Sequence, residues 1–482
     1  MNQEEAPLYN ALQDWKKQRV TSFHVPGHKN GTIFPRFAAK EFQQLLKIDA
    51  TELTGLDDLH NPTGAIDKAQ QLASQYYNVQ ATFFLVNGST VGNLAMILGS
   101  CNEGDIVLVQ RNAHKSIFHG LELANVNPVF LSPFIDEQAQ VAVGLTKEAL
   151  EKALKAYPST KAIILSNPNY YGMTVDLTDI IQLAHASHIP VLVDEAHGAH
   201  FGYGSPFPIS ASLKGADVVV QSAHKTLPSM TMGSFLHFNS KIINEDKIAS
   251  YLHMLQSSSP SYPIMASLDL ARYYLSQLDE QQVKKIIMQI NHFREELNEI
   301  DSIRVLPASS HYELDPLKVT IQTNGALNGF QIQERLEKEG IYTELADPLN
   351  VLFVFPLAEI RGLKQITAKI KQALFYQKQA DYSKKRQSKT FKWHTDYSEL
   401  VVTYKEMKHY HRIKVPFSEA IGCIAAEAVI PYPPGIPYLI AGEKITKEQI
   451  EELMRMIQEG VRLQGGEHVK QQKIYVYEHK GE

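Results

Sequence analysis

Three apolar runs end in residues able to do chemistry. "ADVVVQSAHKTLPSM" places Ser222, His224 and Lys225 just past Val218–Val220, and "IPVLV" is followed by Asp194, Glu195, Ala196 and His197. "FFLV" leads into Asn87, Gly88, Ser89 and Thr90, where a helical pattern begins. Singly, each has a plain structural account. A lysine beyond a core strand can snorkel to solvent, and Asp, Ser or Thr there can cap the next helix or turn. Together they supply an amine that burial would free to condense with an aldehyde. They also supply a carboxylate able to pair with a protonated ring nitrogen and a hydroxyl-rich helix N-terminus suited to phosphate. Pyridoxal 5′-phosphate (PLP) needs all three. His114, after "DIVLVQ", adds a planar side chain that could stack on its ring, with a satisfied core histidine as the plain alternative.

Other chemistries find less support. Neither the phosphate-loop pattern G-x-x-x-x-G-K-[ST] nor the dinucleotide pattern G-x-G-x-x-G is present at the Asn87–Thr90 turn. A metal site from Asp194, His197 and His200 lacks the HExxH spacing, so no metal is expected. The net charge of −5 gives no reason to expect nucleic acid or anionic membrane as a partner. Two cysteines, Cys101 and Cys423, suit a reducing compartment. No apolar stretch of signal or spanning length stands out, so a soluble cytoplasmic protein is expected.

The elements that must position these residues are legible as alternating patterns. "ATFFLV", "DIVLVQ", "VNPVFL", "KAIILS", "IPVLVD", "ADVVVQ" and "GSFLHF" read as strands, several continuously apolar as in a sheet covered on both faces. Amphipathic stretches such as "TKEALEKALKAY" and "LTDIIQLAHASH" lie between them. The alternation predicts a doubly wound α/β domain whose ligand site lies at the carboxyl ends of its strands. The expected organisation is an N-terminal segment over 1–35, a large domain with its linker helix over 36–300, and a small α+β domain over 301–380. A polar, basic linker at 381–395 then leads to a C-terminal module over 396–482.

The chain resembles the fold-type-I PLP enzymes, and within them the ornithine/lysine/arginine decarboxylase family in its short form, without an N-terminal wing domain. The motifs are "SFHVPGHKNG", "ELTGLDDLHNPTG", "FFLVNGSTVGN", "VQRNAHKS", "VLVDEAHGAH", "QSAHKTLPSMTMGS", "SSSPSYPIMASLD" and "YPPGIP". The resemblance implies an aspartate aminotransferase-like large domain with a mainly parallel seven-stranded sheet. It implies that Lys225 holds PLP covalently, that Asp194 pairs with the pyridine nitrogen, and that His114 stacks on the ring. His197 would lie beside the ring near its phenolic oxygen. Gly88, Ser89, Thr90, Ser222 and His224 would bind phosphate, and the "FHVPGHK" segment would border the site. Ser258, within the hydroxyl run Ser257–Ser259, would reach a partner's phosphate in a homodimer with shared sites, itself able to pair into a dimer of dimers. "IYTELADP" makes Glu344 the first candidate, and Asp347 the second, for the acid facing the substrate's distal cation. The implied reaction is decarboxylation of arginine, lysine or ornithine to agmatine, cadaverine or putrescine, feeding polyamine metabolism. A transaminase of the same fold, a non-catalytic PLP-binding regulatory relative and a metal hydrolase are the competing readings.

Overall fold

A computed structural model describes residues 2–18, 20–324, 327–375, 395–432, 435–464 and 467–478. The chain divides into two units, Met1–Ser100 with Ile181–Glu280, and Cys101–Ile180 with Gln281–Glu482.

All seven runs expected as strands of the large sheet are strands: β1 (Ala81–Leu85), β2 (Ile106–Gln110), β3 (Asn127–Leu131), β4 (Ala162–Ser166), β5 (Val191–Asp194), β6 (Val218–Gln221) and β7 (Ser234–Phe238). An eighth, β8 (Tyr397–Glu399), corrects the expected count. It is a three-residue antiparallel addition to β3, pairing Tyr397 with Leu131. Its sequence, Tyr-Ser-Glu, has no apolar run, so periodicity could not reveal it.

Within the first unit the strand order is β1-β7-β6-β5, and β5 runs parallel to β6 while β7 runs antiparallel to both its neighbours. Every residue of β5, β6 and β7 is buried, the polar Asp194, Gln221, Ser234 and His237 included, as in a sheet covered on both faces. Helix α1 (Pro7–Lys17) is fixed on a later helix, Tyr262–Gln277, by Asp269. Asp269 Oδ2 accepts the Leu8 N–H at 3.0 Å, while Oδ1 pairs with Arg272 at 2.8 Å. Helix α2 (Gly88–Ser100) leaves β1 after two residues and crosses the sheet at Gly92. A Cβ there would stand 2.7 Å from Leu85 Cδ1 and 2.8 Å from Val220 Cγ1, so the contact needs glycine.

Within the second unit the order is β4-β2-β3-β8, with β2 parallel to both β3 and β4. A separate antiparallel sheet has the order Ile303–Val305, Lys318–Thr323, Asn350–Val354, Leu345–Ala346, with Gly329–Lys338 and Leu363–Phe375 as helices. The expected linker at 381–395 falls outside the described residues except for Thr395. The C-terminal part pairs Arg412–Pro416 with Lys473–Tyr477 over a core that includes Phe417, Leu439, Leu453 and Val476. No helix of the described residues is long and apolar enough to cross a membrane.

Candidate active site

The first unit gathers most of the residues singled out in the sequence. β6 ends at Gln221, Ser222 follows, and one short turn of helix, Ala223–Thr226, bears His224 and Lys225. The Ser222 N–H donates to Ala196 O at 3.2 Å, which ties the exit of β6 to the exit of its parallel neighbour β5. Lys225 Nζ donates to His197 Nε2 at 3.1 Å, and that imidazole is buried. The lysine is therefore held at a strand end rather than left to wander in solvent.

Three serine hydroxyls from separate segments cluster where the sequence suggests a phosphate cradle. Ser89 Oγ lies 2.7 Å from Ser222 Oγ and 3.3 Å from Ser234 Oγ. Gly88, with φ of +75°, opens α2 in a conformation that favours glycine, and its N–H donates to Met232 O at 2.9 Å. Thr90 is exposed on the first turn. His224 Nδ1 and backbone N–H both contact Gly233 O, at 3.0 and 3.2 Å. The first turn of a thirteen-residue helix offers its own N–H groups beside these hydroxyls.

Asp194 closes the set. It is 6% exposed, and its carboxylate accepts from Asn93 Nδ2 at 2.9 Å and from the Ala196 N–H at 3.1 Å. Both donors are neutral. A buried carboxylate that accepts from an amide and a backbone N–H suits a protonated ring nitrogen as a further partner. With the hydroxyl cluster at α2 and the tethered amine, the residues of this unit fit PLP. Asn93, Ser234 and Glu195 were not assigned roles from sequence. Asn93 had a signal, standing four residues after Ser89 on one helix face; Ser234 joins only through the β6–β7 pairing.

Glu195, beside Asp194, faces a different environment. It is fully buried, with Oε2 accepting from Ser210 Oγ and Gln221 Nε2, both at 2.6 Å, and Oε1 from the Ala211 N–H at 2.8 Å. Burial pushes its carboxyl up to about 7, although these three donors pull the other way. Gln221 Oε1 continues the chain to His237 Nε2 at 3.0 Å, and His237 Nδ1 to Thr82 at 2.9 Å. Burial drives that histidine down to about 3. His200, once a metal candidate, packs its ring against Phe201 and Phe207.

Ser257–Ser259 form an exposed turn after helix Glu245–Leu255, with Ser257 O contacted by His60 Nε2 at 2.8 Å. The second unit carries the remaining candidates. His114 caps α3 (Lys115–Ala124), its Nδ1 accepting from the Ser116 N–H at 3.3 Å. Gly435 lies against it, since a Cβ built there would be 3.7 Å from His114 Cδ2. Asp347 is consumed by its own turn: Oδ1 accepts the Leu349 and Asn350 N–H groups at 2.7 Å, and Oδ2 accepts Asn350 Nδ2 and the Tyr171 hydroxyl. Burial raises its pKa above the usual carboxylate value despite those donors. Glu344 is exposed, its backbone N–H bonded to Leu352 O at 2.9 Å.

The fold is that of the fold-type-I PLP-dependent decarboxylases and transferases. It superposes on the lysine decarboxylase LdcF of Francisella novicida with a TM-score of 0.82 at 20% identity, covering 98% of this chain and 81% of that one. Residues 6–310 match the major domain of Orn/Lys/Arg decarboxylases, and residues 385–481 match their C-terminal domain. The chain belongs to the Orn/Lys/Arg decarboxylase family and is a decarboxylase. A Bacillus subtilis relative, "Uncharacterized protein YaaO", is 47% identical over 98% of both chains. The arginine decarboxylase of the same organism is 34% identical over 97% of this chain and 96% of its own.

Proposed function

We propose that the chain decarboxylates L-arginine to agmatine, a polyamine precursor, using PLP bound covalently to Lys225. The observation that carries the chemistry is the Lys225 amine, 3.1 Å from His197 Nε2, in one unit with the buried Asp194 carboxylate and the hydroxyls of Ser89, Ser222 and Ser234. Arginine is supported by kinship: relatives named arginine decarboxylases are 32–34% identical to this chain, against 22–24% for those named lysine decarboxylases.

Bound PLP supplies an electron sink for the pair left at Cα when the carboxylate departs as carbon dioxide. Asp194 holds a proton on the ring nitrogen by presenting a fixed negative charge in a buried setting. Gly88, Ser89, Thr90, Ser222 and His224 bind the phosphate. His197, in contact with the lysine amine, orients it and can take up a proton from it. His114 would supply a planar face for the ring to stack on. Glu344 pairs with the substrate's distal cation, a role for which its free carboxylate suits it better than Asp347, whose oxygens are already committed to four donors. The active form is a homodimer with shared sites, Ser258 reaching the partner's phosphate. Phe23 and Phe37 are 93% and 91% exposed, and Val25 and Ile33 in the same N-terminal segment are exposed as well; apolar side chains left in water like this support such pairing. The setting is the cytoplasm, where Cys101 and Cys423, both free, stay reduced.

The test offers arginine, lysine and ornithine separately to cofactor-supplemented protein and identifies the amine by chromatography. Agmatine should dominate; cadaverine or putrescine as the main product overturns the arginine assignment. A keto acid without carbon dioxide supports transamination instead. Lys225→Ala should lose all turnover. Glu344→Gln should raise KM for arginine about tenfold or more with a smaller change in kcat; an unchanged KM removes Glu344 from substrate binding.

A further inference from the structure

The following rests on the proposed function. Gly88, Ser89 and Thr90 open α2, and Asn93 lies one turn further along the same helix. Its side chain is buried, and Nδ2 donates to Asp194 Oδ2 at 2.9 Å. With the Ala196 N–H on Oδ1 at 3.1 Å, both carboxylate oxygens have a fixed donor. Ser89 and Asn93, four apart, share a face of α2, and a helix rises about 1.5 Å per residue, so one rigid element separates them by about 6 Å along its axis. That element cannot drift, because Gly92 seats it directly on Leu85 and Val220.

We propose that Asn93 is a positioning residue for Asp194. Its amide N–H fixes the carboxylate in orientation toward the ring nitrogen, so that the ring nitrogen retains the proton they share. Helix α2 thereby sets the phosphate end and the ring-nitrogen end of one cofactor from a single frame. The residue type matters. A hydrogen bond donated to a carboxylate favours its charged form, whereas a lysine or arginine at this position would satisfy Asp194 by itself and compete with the ring nitrogen. An amide polarises the carboxylate without neutralising it.

The experiment loads wild type, Asn93→Leu and Asn93→Ala with PLP labelled with 15N in the ring. It reads the ring 15N chemical shift, the cofactor dissociation constant by absorbance titration, and the thermal midpoint of each apo-protein. Wild type should show a protonated ring nitrogen. Both variants should move toward the neutral-pyridine shift and bind cofactor about tenfold more weakly. Variants that bind cofactor with the wild-type ring shift overturn the inference, even with lowered midpoints, because lost packing destabilises the fold without moving the ring proton. Wild type that binds PLP with its ring protonated while the variants match it sinks this inference alone. Wild type that binds none sinks the proposed function with it.

Discussion

Two adjacent acids, Asp194 and Glu195, are both buried, and their side chains meet different sets of neutral donors. Asp194 meets neutral donors from α2 and its own turn; Glu195 meets Ser210, Ala211 and Gln221. The sequence shows that a strand ends in two carboxylates but not which donors each one meets, because most of those neighbours lie far along the chain. Glu195 yields a pH prediction. Its carboxyl stands at about 7 in the folded protein against an ordinary 4.5, so the native state binds this proton more tightly than the unfolded chain does. That contribution is complete below about pH 4.5 and is lost as pH rises through 7, amounting to roughly 3 kcal/mol. Protonation is accommodated because the Ser210 hydroxyl can reverse and donate to Ser212 Oγ, 3.0 Å away. Urea midpoints of wild type should therefore fall between pH 5 and pH 8 by more than those of Glu195→Gln, whose curve should be flatter. Parallel curves would assign the titration elsewhere.

At the scale of elements, α2 and the β5 and β6 exits form the site's chassis in the first unit. The seven principal strands were legible because each is a short, mostly apolar run, several of them nearly continuous as in a sheet covered on both faces, a signal that needs no partner to be seen. The contact at Gly92 was not, since nothing in "GSTVGN" says that Leu85 and Val220 lie beneath it. Gly92→Ala should overpack this contact and cost about 1–3 kcal/mol, measurable by denaturation. It should also weaken cofactor binding, because α2 carries both Ser89 and Asn93. Full stability with full cofactor affinity would mean that the helix can shift freely.

At the scale of the whole molecule, relatives align over nearly the full chain, so both units and the C-terminal part belong to one inherited design. Within the second unit, Arg111 ties that C-terminal part to the exit of β2. Its guanidinium donates to Pro437 O at 2.7 Å, Tyr438 O at 2.9 Å and Glu443 Oε2 at 3.1 Å, three residues before His114. Arg111 and Glu443 are 3% and 6% exposed, so losing one partner strands a buried charge. Glu443→Ala should cost about 3–5 kcal/mol, visible as a lowered thermal midpoint; an unchanged midpoint would show the pair to be dispensable. For assembly, the proposed homodimer predicts that Phe23→Asp with Phe37→Asp shifts the sedimenting species toward monomer; an unchanged sedimentation coefficient would remove these side chains from the interface.

The amino-acid order alone determined the seven apolar strands and the family, and it singled out Lys225, Asp194 and the Gly88–Thr90 turn as candidates, because period, composition and local motif are written along the chain. Tertiary structure alone decided that Asn93 holds Asp194, that Ser234 joins Ser89 and Ser222, that Glu195 is tied to Gln221, and that Asp347 is spent on its own turn and Tyr171. Such assignments depend on hydrogen-bond geometry and burial between segments far apart in sequence, and neither exists until the chain has folded.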